Sequence, residues 1–151
     1  NDAESQATIP LREHPDDSSV ALLGISMLSV PSSAIEVDYN LEDIGGPSAG
    51  MMFSLAVVDK LSPGALNGGK FVAGTGTIAE DGSVGPIGGI AHKVRAAEDA
   101  GAEVFLSPAD NCAEAMSAKP QDMTILKVDS LSQAIDQMAA YNEGSDFQTC
   151  G

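Results

Sequence analysis

Residues 48–61, SAGMMFSLAVVDKL, contain no proline, are apolar on nearly every side and stop short of Pro63-Gly64. That pattern predicts a buried helix, and a buried helix obliges the chain to wrap other elements around it. The sequence offers several. Residues 20–30 are apolar and partly alternating, and residues 34–41 alternate more clearly through Ile35, Val37 and Tyr39. Both read as strands, with Pro31-Ser32-Ser33 as the turn between them. A Gly- and Thr-rich extended stretch follows over 71–78, then the turn Glu80-Asp81-Gly82, then Pro86-Ile87-Gly88-Gly89. Helices are predicted over 90–100, 111–118 and 130–141, and strands over 104–106 and 124–128. Strands and helices alternate through the second half, so the expected class is α/β (α+β).

A chain of 151 residues is sized for one domain. Residues 1–19 are charged and poor in apolar groups, which predicts a linker or tail. The folded domain is then expected over 20–142, with a C-terminal tail over 143–151. Seven Lys and Arg stand against 22 Asp and Glu, a formal net charge of −15. Phosphate binding requires a cationic footprint, so nucleic acid is excluded as a partner, and anionic membrane surfaces are disfavoured for the same reason. There is no run of about 18 apolar residues to cross a bilayer, and the N-terminal residues lack the order of a signal peptide. The cysteines, Cys112 and Cys150, allow a single intramolecular pairing. Spacing does not decide whether it forms; if it does, it pins the C-terminus and implies an oxidising compartment.

Three glycine patterns invite a nucleotide. Gly64-Ala-Leu-Asn-Gly-Gly69-Lys70 satisfies the first seven positions of a phosphate loop, but Phe71 stands where a hydroxyl would reach Mg²⁺. It also follows a helix and enters a strand, the reverse of the required order. Gly74-Thr-Gly76-Thr-Ile-Ala79 is followed by a turn rather than by a helix N-terminus able to hold pyrophosphate. No nucleotide and no other cofactor is therefore expected. Nor is a metal, since no His, Cys and carboxylate cluster has ligand spacing.

The third pattern, Gly45-Gly46-Pro47-Ser48-Ala49-Gly50, lies where a loop enters the buried helix. Pro and Ser suit a first helical turn, which is the plain structural reading. The chemical one is a nucleophilic Ser48, with glycines admitting a substrate backbone and free N–H groups facing an oxyanion. A nucleophile needs a base. His14 lies in the polar tail, which leaves the helix over 90–100. With about 100° per residue, Val94, Ala97 and Gly101 fall within about 40° of Ile90 and form its buried stripe. Glu98, Arg95, Asp99 and His92 form a charged face between about 80° and 200°. Lys93 alone falls near about 300°, beside Ala96, Ala97 and Ala100. It either snorkels into water or is a partly desolvated amine able to act as a base.

Gly46-Pro-Ser48-Ala-Gly50, Thr75-Gly76, Gly82-Ser-Val-Gly-Pro-Ile-Gly-Gly89 and Lys93, followed by Ala96-Ala97, Ala100-Gly101, Leu106, Pro108 and Asn111, resemble in order and spacing the Lon-type serine-lysine proteases. The likeness runs from about Gly24 to Ala139. It implies the Lon proteolytic domain, an α/β unit related to the ribosomal-protein domain-2-like fold, which commonly assembles as a homo-oligomeric ring. It matches Ser48 to the nucleophile, Lys93 to the general base, and Thr75 to a hydroxyl that orients the lysine. ATP-dependent members usually carry Asp directly before Gly-Pro-Ser and Glu after Thr-Gly; here those positions are Gly45 and Thr77. The variants Ile44-Gly-Gly-Pro-Ser-Ala-Gly50, Phe53-Ser-Leu-Ala-Val, Asp59-Lys-Leu, Gly74-Thr-Gly-Thr-Ile78 and Asn111-Cys112 are more similar to the PDZ-linked, ATP-independent Lon-like proteases. That likeness implies an extracytoplasmic domain whose PDZ module and membrane anchor lie outside this chain.

The expected activity is that of a serine endopeptidase acting on polypeptides through Ser48 and Lys93. Backbone groups of the Gly45, Gly46, Pro47 and Ala49 loop would hold the oxyanion and substrate. The alternative is a catalytically silent peptide-binding or assembly domain that keeps the fold.

Overall fold

The computed structural model describes residues 12–14, 17–22, 37 and 46–151. Most of the two strands expected over 20–30 and 34–41, and Gly45 of the loop, lie outside the described residues. The chain divides into two units, Asn1–Glu36 and Val37–Gly151. In the first, β1 (Arg12–His14) pairs antiparallel with β2 (Asp17–Leu22), Arg12 opposite Leu22 and Glu13 opposite Ala21. This hairpin falls largely in the stretch expected to be a tail. Pro15 and Asp16, both turn-favouring residues, separate its strands.

The second unit is built on a three-stranded parallel sheet in the order β3 (Val72–Gly74), β6 (Val104–Pro108), β7 (Thr124–Val128). Val72 pairs with Val104, and Val104 in turn with Thr124. All five residues of β6 are buried, as suits the central strand of a parallel sheet covered on both faces. Side-chain alternation sends Val104, Leu106, Leu126 and Val128 to one face, where they pack with Met51 and Leu55 of α1 (Gly50–Leu61) and Ala134 and Met138 of α4 (Leu131–Glu143). Phe105 and Ile125 point the other way, onto Ile90 and Val94 of α2 (Ile90–Asp99) and Ala115 of α3 (Cys112–Met116). The unit is thus a mixed helix-and-strand sandwich with two separate apolar cores, one on each face of the sheet.

The helix expected over 48–61 begins as a 3-10 turn, Pro47–Ala49, before α1 proper, and it is less enclosed than its composition suggests. Met51 and Leu55 are buried, while Leu61 is 59% exposed. The extended stretch over 71–78 is two strands, not one. The chain breaks at Thr75-Gly76 and resumes as β4 (Thr77–Ile78), which forms its own hairpin with β5 (Val84–Gly85). The connection 62–70 does lead from a helix into a strand, so the glycine-rich run there has the wrong geometry for a phosphate loop.

The C-terminal residues expected to be a tail are held. Gly144 takes the left-handed conformation that ends α4, and the chain then turns back. Lys127 N–H donates to Gln148 O (3.1 Å), and Cys150 N–H donates to Ile125 O (3.0 Å). The returning segment thereby lies along β7, and Phe147 meets Tyr141 edge to face at 5.2 Å. A disulfide joins Cys150 to Cys112, 38 residues earlier.

Candidate active site

Three segments remote in sequence converge beside the start of α1. The first is the 3-10 turn itself. Gly46 enters it with φ 85°, a backbone conformation that glycine adopts without strain. Pro47 supplies the fixed φ of a first helical position. Ser48 follows, half-buried, and the N–H of Gly50 closes the turn onto Pro47 O. As the first turn of a helix, this segment presents N–H groups with no intrahelical acceptor.

The second segment is the break between β3 and β4. Thr75 is 2% exposed, and its N–H is anchored on Leu106 O of β6 at 3.2 Å. The carbonyl of Ser48 accepts both Gly76 N–H and Thr75 Oγ1–H, each at 2.8 Å. Met51 N–H returns a bond to Gly76 O at 3.1 Å. The serine turn is therefore stapled to the break by three hydrogen bonds. Gly76 is needed for that approach, because a Cβ there would come within 2.9 Å of Val84 Cγ1 and 3.5 Å of Met51 Cβ.

The third segment is α2. Ile90 and Val94, both fully buried, fix its inner face, and Lys93 reaches from its flank. Lys93 Nζ stands 3.3 Å from Ser48 Oγ and 3.4 Å from Thr75 Oγ1. The hydroxyl of Thr75 has one proton and gives it to Ser48 O, so only a lone pair faces the amine. Lys93 must then donate to Thr75, and that bond turns the remaining valences of Nζ toward Ser48 Oγ.

Of the two settings left open for Lys93, the solvated one is observed. The residue is exposed, as are Ala96 and Ala100, while Ala97 is half-buried. A helical wheel fixes the direction in which a side chain leaves the axis but not what packs there, and α2 packs inward through Ile90, Val94 and the half-buried Ala97. His92 is exposed on the charged face, as its position on the wheel predicts. Of the loop residues, Gly46 and Pro47 are exposed and Ala49 is half-buried. Pro47 has no N–H to give an oxyanion, and the N–H of Gly50 is already committed to Pro47 O. Among the described residues, no group of three or more His, Cys, Asp and Glu could hold a metal ion. What residue reading alone did not find is the part played by Gly76, whose function lies in backbone atoms and in a missing side chain.

A serine, a threonine and a lysine from three remote segments thus meet at one place on a mixed helix-and-strand fold. Residues 28–140, well over half of the chain, match the family model described as the Lon protease (S16) C-terminal proteolytic domain, and the chain belongs to that family. It is 38% identical over 84 residues to Lon protease of Metamycoplasma arthritidis (strain 158L3-1), a match covering 56% of this chain and 9% of the relative. Lon protease 1 of Sorangium cellulosum (strain So ce56) is 40% identical over 87 residues, 58% of this chain and 10% of the relative. Lon protease 2 of Bacillus subtilis (strain 168) is 30% identical over 95 residues, 63% of this chain and 17% of the relative. The matches thus span only a small part of each curated relative.

Proposed function

We propose that this chain is the proteolytic domain of an ATP-independent serine endopeptidase in which Ser48 is the nucleophile, Lys93 the general base and Thr75 the group that orients the lysine. The observation that carries the reading is the approach of Lys93 Nζ to within 3.3 Å of Ser48 Oγ, with Thr75 Oγ1 beside both. Membership of a proteolytic-domain family supports the reaction class.

In the reaction, the Lys93 amine accepts the Ser48 proton on its lone pair as Oγ bonds to the carbonyl carbon of a peptide. The negative charge that develops on the carbonyl oxygen faces the N–H groups of the 3-10 turn, Ser48 N–H foremost. Collapse of this adduct breaks the C–N bond. The proton held on Lys93 then passes to the departing amine, leaving an acyl ester on Ser48. Water attacks the ester by the same route and restores both side chains. Thr75 keeps its lone pair on one N–H of Lys93 throughout, so the amine need not search for its direction.

The ATP-independent assignment is supported by Gly45 and Thr77, which occupy the places of the acidic residues usual in ATP-dependent members. The local variants shared with the PDZ-linked proteases support it as well. An extracytoplasmic, membrane-anchored setting fits the Cys112–Cys150 bridge, since such bridges persist in oxidising compartments. Polypeptide substrates and ring assembly follow from the same family reading.

A serine-directed covalent probe and a fluorogenic peptide test the proposal. Labelling is expected to vanish in Ser48→Ala, and turnover to fall by about a thousandfold or more in both Ser48→Ala and Lys93→Ala, because dyad members act as a unit. Near-normal turnover by Lys93→Ala would sink the mechanism. No labelling in any oligomeric state would favour a silent binding module. In the full-length protein, added ATP and Mg²⁺ are expected to leave the rate unchanged.

A further inference from the structure

The segment that delivers Lys93 has little of its own to hold it. Residues 86–89 connect β5 to α2. Pro86 has no N–H, Gly88 and Gly89 are exposed, and α2 starts from Gly89 at φ 70° without a side-chain cap. The position of this connection is set from outside. Asn111, 6% exposed, closes the turn that follows β6. Its carboxamide takes both main-chain groups of Ile87: Ile87 N–H donates to Oδ1 at 2.8 Å, and Nδ2 donates to Ile87 O at 3.0 Å. That is the paired contact a neighbouring strand would make, and it fixes the connection both along its axis and in rotation.

We propose that Asn111 is a positioning residue for the Ser48–Lys93 pair, acting through Ile87 on the register of α2; this rests on the dyad reading above. The frame is continuous. β6 anchors Thr75 through Leu106 O and ends in the turn that carries Asn111. The same strand therefore sets the orienting hydroxyl directly and the lysine by way of Ile87. Nζ lies 3.3 Å from Oγ, near the limit of a hydrogen bond, so a small slide of α2 breaks the contact. A misplacement of about 1 Å costs catalysis about a hundredfold. An apolar residue at 111 could fill the same space but could not fix the connection in this way.

The test compares the full chain with Asn111→Ala and with Asn111→Asp, which keeps the shape and the acceptor but loses the donor to Ile87 O. Both variants are expected to lose about 10- to 100-fold in kcat, with KM within about threefold of the parent. Amide exchange over residues 87–94 should accelerate about tenfold or more, while β6 and β7 keep their protection. Ala115→Gly serves as a control. It weakens the same core from α3 and should retain parental kcat at a comparable loss of melting temperature. A folded Asn111 variant with parental kcat would overturn the inference, as would exchange that rises equally throughout the domain. Should Asn111→Ala fail to fold, Asn111→Asp supplies the same two readings. Absence of Ser48-dependent turnover in the parent chain would defeat the dyad reading and this inference together. Ser48-dependent turnover that survives in both variants defeats this inference alone.

Discussion

Thr75 serves two masters with one hydroxyl, giving its proton to Ser48 O and its lone pair to Lys93 Nζ. Thr75→Val keeps the volume in this buried place and removes both contacts. Each of the two hydrogen bonds contributes about 0.5–1.5 kcal/mol, so losing both should drop kcat roughly 10- to 100-fold. Thr75→Ser, which retains the hydroxyl, should stay within about threefold of the parent. Steady-state kinetics on a fluorogenic peptide checks both. A loss in Thr75→Ser with none in Thr75→Val would show that the methyl group, not the hydroxyl, matters. At this scale the sequence was informative about types and order: Ser48, Thr75 and Lys93 stand out through their small-residue surroundings and spacing. It placed Asn111 and Gly76 among the family-like positions but gave neither a part to play. Their contributions run through main-chain atoms, which leave no pattern in side-chain chemistry. It left the burial of Lys93 open, because a wheel contains no neighbours.

Among the elements, the β4–β5 hairpin is the least self-sufficient, with only two residues in each strand. Its turn is fastened internally by Asp81, whose carboxylate accepts Ser83 Oγ–H at 2.7 Å and Ser83 N–H at 2.9 Å. It is fastened externally by Val84 N–H on Asp129 O and Leu131 N–H on Gly82 O. The Ser83 hydroxyl, followed by the Ser83 N–H, holds the Asp81 carboxyl below its ordinary value of 3.8. A carboxyl depressed in the folded state stabilises that state above its unfolded value, and the contribution fades as pH falls through the folded one. The Ser83 amide resonance should therefore titrate with a midpoint below 3.8, and Asp81→Asn should abolish the titration. A midpoint at or above that value would contradict the contact. Strands of two residues are too short to show alternation, which is why 71–78 read as one extended run. By contrast, residues 124–128 and the helices behind Gly89 and Ser130 carry full periods and legible ends, and the structure places them within a few residues of expectation.

For the molecule as a whole, the C-terminal return is secured more by its covalent link and by backbone pairing along β7 than by apolar content. Only Phe147 and the bridged Cys150 of residues 145–151 pack against the cores. Such a polar stretch reads as a tail, and the sequence showed that the cysteines could pair without showing that they do. Closing a 38-residue separation stabilises a fold by about 4 kcal/mol in the chain-entropy account. Cys150→Ser should therefore lower stability by about 2–4 kcal/mol in denaturant titrations, with a raised m-value as the unbridged unfolded chain exposes more surface. A loss below about 0.5 kcal/mol would show that pairing along β7 alone holds the return.

The two residues of the proposed dyad come from opposite sides of one sheet. Ser48 opens the helix that packs in the core with Leu106 and Leu126, and Lys93 rides on the helix that packs in the core with Phe105 and Ile125. Neither layer holds both. On the proposed dyad, a chain with either layer still loose should be silent, and turnover is expected to appear only once both layers have closed on the sheet.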